Sequence, residues 1–293
     1  MNRENRHFDD ASRGWLIRAI TRPPFGAGRE RKGLFAHLSR AQPHIVRRLS
    51  IELPGWPIWK HPLRVAFLSD FHTGSHNDDL VRLRCVIDEA ATYNPDVVLF
   101  GGDYVNMQPL GGGRITPDAI AFELARIPAP LGRFAVLGNH DYVYGERSIV
   151  EALSKHNIFV LDHDRTVLKF QNQNVDLIGI PDGDVQRTRG YDLLRKLSSD
   201  RPAIVLAHDP VWFASLPAGP FLMLAGHTHG GQIRLPGIGI IRNGSRAPLS
   251  WSHGLIDAFG KKLFVTSGIG TSLIPIRIGV PPEFALLTIN GMS

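Results

Sequence analysis

The first half of the chain alternates continuous apolar runs with amphipathic segments of helical period. The apolar runs end in polar residues, which is typical of strands buried on both faces, and they lie at residues 63–70, 96–103 and 133–141. The amphipathic segments follow these runs at residues 78–93, 116–127 and 146–157. This order of strand and helix predicts parallel strands covered by helices.

The first two amphipathic segments carry further helix signals. Asp78 and Asp79 are candidate caps of the first, and its apolar face consists of Leu80, Leu83, Val86, Ile87 and Ala90. Thr116 is a candidate cap of the second, where Pro117 occupies the first turn. Cys85, the only cysteine, falls in the first helix, and we expect it to be buried as a small apolar residue.

The second half of the chain predicts more strands than helices. A single helix is predicted near residues 191–199, whereas short strands are predicted within residues 158–170, 174–180, 203–209, 221–229, 232–241, 262–270 and 284–289. We therefore expect a second sheet, largely antiparallel, packed face to face on the first. The predicted fold is α/β: a four-layer α/β/β/α sandwich of two packed mixed sheets with helices outside.

Charge divides the chain into two parts. Residues 1–50 carry 11 Lys and Arg against 4 Asp and Glu, whereas residues 51–293 carry 22 against 23. We predict a basic N-terminal arm, residues 1–50, and one domain, residues 51–293. The arm is a flexible tail or a helix packed on the domain, a segment that lies on an anionic membrane surface, or a segment that contacts nucleic acid. On a membrane surface each cation contributes about 1 kcal/mol. The balanced charge of the domain argues against nucleic acid as a partner.

No run approaches the roughly 18 apolar residues of a transmembrane helix. The arm also lacks the continuous apolar core of a secretory signal. We expect a cytoplasmic protein, with peripheral contact to the inner face of the membrane if the arm binds lipid. The sequence indicates no particular oligomeric state.

Residues able to bind metal or transfer protons follow five of the predicted strands. They are Asp70 and His72; Asp103; Asn139, His140 and Asp141; His208; and His227 and His229. Because ligands bind at the carboxyl ends of strands in α/β sheets, we expect these residues to converge on one crevice. The glycines around His227 and His229 permit a tight turn close to a ligand.

Seven of these side chains are candidate metal ligands, which is too many for one tetrahedral ion and suits two divalent ions that share a bridging carboxylate. They are Asp70, His72, Asp103, Asn139, His208, His227 and His229. Oxygen and nitrogen donors without a thiolate admit Mn, Fe, Zn, Co or Ni.

The motifs "DFH", "GGDY", "GNHD", "AHD" and "GHTH", in this order, resemble those of the calcineurin-like metallophosphoesterases over residues 63–290. The resemblance implies that Asp70, His72, Asp103 and His229 hold one metal. It implies that Asp103, Asn139, His208 and His227 hold the other. The tail from residue 266, with "GHTHGGQIRLPG", is similar to the YaeI/YkuE-like phosphodiesterase branch, which includes a UDP-2,3-diacylglucosamine pyrophosphate hydrolase of lipid A biosynthesis.

The implied activity is metal-dependent hydrolysis of a phosphodiester or pyrophosphate bond by water. In this interpretation His140 faces the substrate and stabilises charge or protonates the leaving oxygen, and Asp141 orients His140 or, alternatively, caps a helix. The partner is a small phosphoester or a lipid-linked nucleotide. The alternatives are a non-catalytic interaction module on the same fold, and a nuclease or cyclic nucleotide phosphodiesterase.

Residues near the C-terminal turn are candidates for substrate contacts. Ile269, Leu273 and Ile274 could form an acyl-chain surface, and Arg277 could pair with a phosphate. The alternative is that such residues are core residues and a surface cation.

Overall fold

The computed structural model describes residues 42–76, 79–107, 115–182, 187–258 and 260–292. The strands of the first half of the chain are β1 (Ile45–Leu53), β2 (Leu63–Leu68), β3 (Val97–Phe100), β4 (Arg133–Ala135), β5 (Phe159–Val160), β6 (Asp164–Phe170) and β7 (Gln173–Ile180). Those of the second half are β8 (Ala203–Ala207), β9 (Phe221–Ala225), β10 (Arg234–Leu235), β11 (Gly239–Ile240), β12 (Gly254–Ala258), β13 (Lys261–Val265) and β14 (Glu283–Gly291).

The helices lie between these strands. The α-helices are α1 (Asp79–Thr92), α2 (Pro117–Leu124), α3 (Asn139–Tyr144), α4 (Glu146–Lys155) and α5 (Arg187–Arg195). Short 3₁₀ turns occur at Pro210–Ser215, His229–Gly231 and Leu249–Trp251. None of the helices in the described ranges is long and apolar enough to span a bilayer.

Two six-stranded mixed sheets form the centre of the fold. The spatial order is β1-β14-β2-β3-β4-β5 in the first sheet and β12-β13-β9-β8-β7-β6 in the second. Side chains on the inner faces, such as Phe67 and Phe264 with ring centroids 6.3 Å apart, pack the sheets against each other. Helices cover the outer face of the first sheet, and α5 with the turn Pro210–Ser215 covers that of the second. The predicted four-layer sandwich is confirmed.

The apolar face of α1 and the cap of α2 are confirmed. Of the two candidate caps of α1, Asp78 lies outside the described residues and Asp79 is the first residue of the helix. The apolar face of α1 packs on the first sheet, with Val86 and Ile87 fully buried. Thr116 caps α2, where its hydroxyl accepts a hydrogen bond of 3.3 Å from the amide of Ala119. The expectation that Cys85 is buried is wrong: it is exposed, because its position in the helical repeat falls outside the apolar stripe.

The expectation of a largely antiparallel second sheet is also wrong. β7, β8, β9 and β13 pair in parallel, and only the outer pairs β6/β7 and β12/β13 are antiparallel. The crossover from β8 to β9 uses the short 3₁₀ turn Pro210–Ser215 instead of an α-helix. Because this connection contains no α-helix, the small number of helices predicted for the second half of the chain gave too few parallel connections.

The structure also corrects the boundary of the predicted arm. Residues 45–50, which were included in the arm, belong to β1, an edge strand paired in parallel with β14. Arg47 in this strand makes a 2.7 Å ion pair with the buried carboxylate of Glu283. Residues 1–41 of the predicted arm lie outside the described residues.

Candidate metal centre

The seven predicted metal ligands follow the carboxyl ends of strands in both sheets. They are Asp70 and His72 after β2, Asp103 after β3, Asn139 after β4, His208 after β8, and His227 and His229 after β9. The turns after β2 and β3 are joined by hydrogen bonds from the amide of Asp70 to the carbonyl of Gly102 (3.0 Å) and from that of His72 to Asp103 (2.9 Å). These bonds hold the two turns together at one edge of the first sheet.

Five of these residues have left-handed backbone conformations. The φ angles are 53° at Asp70, 38° at His72, 57° at Asp103, 65° at His227 and 50° at His229. Residues other than glycine adopt such angles infrequently, and each costs of order 1–3 kcal/mol. This conformation turns each side chain out of its strand direction toward the shared centre.

The first group of donors consists of Asp70, His72 and His229, whose ligand atoms all lie within 4.8 Å of one another. Nε2 of His72 is 3.1 Å from Nε2 of His229, and Nε2 of His229 is 3.5 Å from Oδ1 of Asp70. All three side chains are buried.

The second group consists of Asp103, His208 and His227, again with ligand atoms within 4.8 Å of one another. Nδ1 of His227 lies 3.1 Å from Nε2 of His208, and the Oδ1 atom of Asn139 lies 3.1 Å and 3.2 Å from these two nitrogens. Nδ1 of His208 is 2.7 Å from the carbonyl of Gly101. This contact fixes the ring and directs Nε2 toward the other donors.

Asp103 joins the two groups through one oxygen. Its Oδ2 atom is 3.4 Å from Nε2 of His72 in the first group and 3.5 Å from Nε2 of His208 in the second. In each group two imidazole nitrogens face each other beside a carboxylate oxygen, an arrangement that suits a cation between them. The donor set therefore fits divalent cations, with Asp103 between the two groups.

The charges of these donors shift one another's pKa values. Burial by itself raises the pKa of Asp103, but the imidazoles of His208 and His72 hold it well below its usual value. Burial lowers the pKa of His208, but the Asp103 carboxylate carries it well above the usual value. The pKa of His229 is well below its usual value because the ring is buried beside His72 and Arg277. His229 is therefore neutral, the form that binds metals.

His140 lies beside the centre and lines the adjoining cavity. Its amide donates a 3.0 Å hydrogen bond to Oδ1 of Asp103, and its ring meets that of His72 edge-on at 4.9 Å. Nε2 of His140 is 3.4 Å from the hydroxyl of Ser272. Burial, the largest influence, lowers the pKa of His140 to about 4. The ring is thus a neutral hydrogen-bonding group directed at the cavity.

Asp141 is fully buried, and its carboxylate binds the backbone. It accepts hydrogen bonds from the amides of Asp103 (2.7 Å), Gly138 (2.8 Å) and Tyr104 (2.9 Å). Burial and the neighbouring Asp103 raise its pKa to about 7. These contacts favour the cap alternative over a role in orienting His140: Asp141 ties the start of α3 to the turn that carries Asp103.

Two glycines allow the carboxylates of the site to pack directly against the backbone. A Cβ atom at Gly138 would lie 2.1 Å from Oδ1 of Asp103, and one at Gly226 would lie 2.2 Å from Oδ2 of Asp70. Both distances are far below van der Waals contact, so only glycine fits at these positions.

Arg277 does not contact a substrate surface, in contrast to its interpretation as a phosphate partner. Its guanidinium is buried and donates hydrogen bonds to the carbonyls of Gly270 and Ser267, both at 2.6 Å, and lies 3.4 Å from Nδ1 of His229. Burial lowers its pKa to about 9. The apolar sequence around it gives no sign that it supports the turn carrying His229.

The predicted acyl-chain residues separate into two kinds. Ile269 is buried in the core, as the alternative interpretation expected. Leu273 and Ile274 lie at the surface and line the cavity beside the metal centre, which has a volume of about 510 Å³. Asp209, which was not counted as a ligand, caps the turn Pro210–Ser215 and lies 3.8 Å from Nε2 of His227.

Residues 63–231 match the family model of the calcineurin-like phosphoesterases, a span that contains every candidate ligand. The chain therefore belongs to this family, and it is a metallophosphoesterase, a hydrolase of phosphoesters.

Its relatives include proteins of several bacteria. A metallophosphoesterase of Aquifex aeolicus, described as uncharacterized, is 30% identical over 78% of this chain and 85% of its own length. Phosphodiesterase YaeI of Escherichia coli is 31% identical over 77% of this chain and 82% of its own length. Among solved structures, the NAD nucleotidase of Haemophilus influenzae superimposes with a TM-score of 0.44 at 13% identity, over 70% of this chain and 44% of that one.

Proposed function

We propose that this metallophosphoesterase holds two divalent cations and hydrolyses a phosphodiester or pyrophosphate bond in a lipid-linked nucleotide at the inner membrane surface. The observation that carries the proposal is the position of Asp103, whose Oδ2 atom lies within 3.5 Å of an imidazole from each donor group. A single-ion site would not need a carboxylate shared in this way.

The ligands divide as the sequence motifs imply. Asp70, His72, Asp103 and His229 would hold one cation, and Asp103, Asn139, His208 and His227 the other. When bound, the pair supplies activated water near neutral pH and positive charge for the phosphoryl oxygens. UDP-2,3-diacylglucosamine is the lipid-linked nucleotide to test first, and Mn²⁺ the first ion.

His140 is the group of the chain that acts on the reacting phosphoester. Its ring lines the cavity, and its amide donates a hydrogen bond to Asp103. The position of His140 therefore depends on that of Asp103, the ligand that the two groups share. A neutral imidazole donates one N–H, which suits charge that develops on a phosphoryl or leaving oxygen. Such groups typically contribute about 10²- to 10⁴-fold in rate.

The cavity suits a substrate with both polar and apolar parts. Its lining includes Asn139, His140 and His229 of the metal centre and the exposed aliphatic side chains of Ile241, Leu273 and Ile274. A volume of about 510 Å³ lies in the range of small-molecule sites, roughly 300–1,000 Å³. The phosphoester would lie beside the polar residues of the metal centre, and acyl chains would lie along the aliphatic side chains.

Hydrolysis of bis(p-nitrophenyl) phosphate with Mn²⁺, measured together with bound metal per chain, tests the reaction. We expect turnover that requires added metal and a stoichiometry of two. Protein that holds two metals yet hydrolyses no ester with any divalent ion would favour the interaction module. A screen of UDP-2,3-diacylglucosamine against cyclic nucleotides and single-stranded DNA tests the substrate; preference for either of the latter would overturn the lipid-nucleotide assignment.

A further inference from the structure

Two connected loops, residues 232–241 and 271–279, border the mouth of the cavity, and we call them the rim. The amide of Arg234 donates to the carbonyl of Ile278 at 2.8 Å, and the amide of Ser272 donates to the side chain of Gln232 at 2.8 Å. The side chain of Gln232 also donates to the carbonyl of Ile274 at 3.1 Å. The two loops therefore form one surface, of which Gln232, Ile233, Ile241 and residues 272–274 line the cavity.

The rim exposes large aliphatic side chains. Leu273 is 73% exposed, Ile238 69% and Ile241 66%, and Ile274 and Ile278 are exposed to a smaller extent. Leu273 has a φ of 66°, an unfavourable backbone conformation for a leucine. Apolar residues grouped beside a cavity mark a surface that contacts a partner or a membrane.

The charged residues on and beside the rim indicate which kind of partner the surface fits. The rim contains no Asp or Glu. Arg234 on the rim is exposed, as are Arg242 and Arg246, which follow the first of its two loops. Isoleucines and leucines that project between arginines, without carboxylates, complement an anionic lipid surface: the aliphatic groups enter the headgroup layer and the guanidinium groups meet phosphates.

The basic N-terminal segment joins the molecule beside the rim. β1 is parallel to β14, which is antiparallel to β2, so β1 begins at the edge of the sheet where the metal ligands lie. The side chain of Gln42 donates to the carbonyl of Arg277 at 2.8 Å. Residues 1–41 carry 9 Lys and Arg against 4 Asp and Glu. This positively charged segment is therefore connected to the fold at the same edge as the rim.

We propose that the rim docks on an anionic bilayer, so that the cavity opens onto the membrane surface and amphiphilic phosphoesters enter directly from the lipid layer. This inference rests on the proposed function only for the nature of the substrate. The docking itself is a property of the surface and is measured without turnover.

The test is flotation of the full chain with vesicles of phosphatidylglycerol and phosphatidylcholine, and with vesicles of phosphatidylcholine alone. Ile238→Ser is the informative variant because Ile238 is exposed on the rim and does not line the cavity. Ile58→Ser is the matched control: Ile58 is 65% exposed, and it lies between β1 and β2, at the opposite end of the sheet.

We expect the wild type to bind the vesicles that contain phosphatidylglycerol, and Ile238→Ser to bind them about tenfold more weakly, since one buried aliphatic side chain accounts for at least that factor. Ile58→Ser should bind as the wild type does. Ile238→Trp should bind more tightly, because tryptophan favours the membrane interface. Both Ile238 variants should hydrolyse bis(p-nitrophenyl) phosphate at the wild-type rate.

Absence of wild-type binding, or equal binding by Ile238→Ser and Ile58→Ser, would overturn the docking proposal. If deletion of residues 1–40 abolished vesicle binding while Ile238→Ser bound as the wild type does, the arm would be the membrane contact. This result would also overturn the docking proposal. A dimer that Ile238→Ser converts to a monomer, with vesicle binding unchanged, would identify a second copy as the partner. Vesicle binding without any phosphoester hydrolysis would leave docking intact and refute the proposed function instead.

Discussion

Gly226→Ala is a steric test of the metal centre, because it adds one methyl group without removing any ligand. The new Cβ would lie 2.2 Å from Oδ2 of Asp70 and 2.2 Å from the hydroxyl oxygen of Ser69. Ordinary carbon–oxygen contacts are about 3.3 Å or longer, so Asp70 must move by about 1 Å. The amide of His227, which donates to both carboxylate oxygens of Asp70 at 2.9 and 3.0 Å, would lose its partner.

Two consequences follow with different magnitudes. Overpacking of this kind typically costs 1–3 kcal/mol, so we expect the metal-free protein to lose about 2 kcal/mol in its free energy of unfolding. Displacing a ligand through its supporting contacts typically lowers metal affinity 10- to 100-fold. We expect a loss in this range for the ion that Asp70 would hold, with the proposed second ion less affected.

Equilibrium dialysis against limiting Mn²⁺, with bound metal measured by mass spectrometry, gives the affinity, and urea denaturation gives the stability. Gly237→Ala is the matched control. Its Cβ would meet nothing within 4 Å, although the φ of 76° makes alanine unfavourable there. It should lose about 1–2 kcal/mol in stability and keep wild-type metal affinity. Wild-type metal binding by Gly226→Ala would refute the described packing of Asp70.

Three further predictions concern the roles of single side chains. His140→Ala should reduce turnover of bis(p-nitrophenyl) phosphate about 10²-fold or more and leave two metals bound; loss of metal would make His140 a ligand. Asp141→Asn places an amide group against backbone N–H groups and should lower the free energy of unfolding by about 3 kcal/mol, with a parallel loss of metal; full stability and metal content with no turnover would restore its catalytic interpretation. Glu283→Gln should cost about 3 kcal/mol at pH 7 in urea denaturation. The contacts of Glu283 with His253 and Arg47 outweigh its burial and lower its pKa. Its contribution is therefore complete above its unfolded pKa near 4.5 and is lost as the pH falls through the folded value. A difference between wild type and Glu283→Gln that stays constant from pH 7 to pH 3 would contradict this pairing.

The sequence signals of the candidate metal centre are local. Each ligand follows a continuous apolar run, and the carboxyl ends of such strands meet at one edge. The spacing of His227 and His229 is a weak signal by itself, and the prediction rests on five such strand ends in one chain. The partners that hold these ligands are less visible: Arg277 lies 48 residues from His229, and the sequence between them gives no indication that they are in contact.

β1 was missed for a related reason. Its residues alternate only weakly, with Arg47 and Arg48 in the middle of the strand, so charge dominates the pattern. Its partner β14 lies at the other end of the sequence, with Ile45 opposite Glu283. A strand that forms by pairing with residues so distant in the sequence has only a weak local sequence pattern.

The left-handed turns and the buried polar contacts beneath them are connected. Five ligands in unfavourable backbone conformations would relax unless the surrounding contacts determined them. Asp141 binds three amides around the turn of Asp103, and Arg277 binds the carbonyls beneath the turn of His229. Neither side chain needs to contact a metal for its loss to reduce metal affinity. The contacts of Asp141 and Arg277 thus maintain the strained backbone conformations, and together they orient the donors before any cation binds.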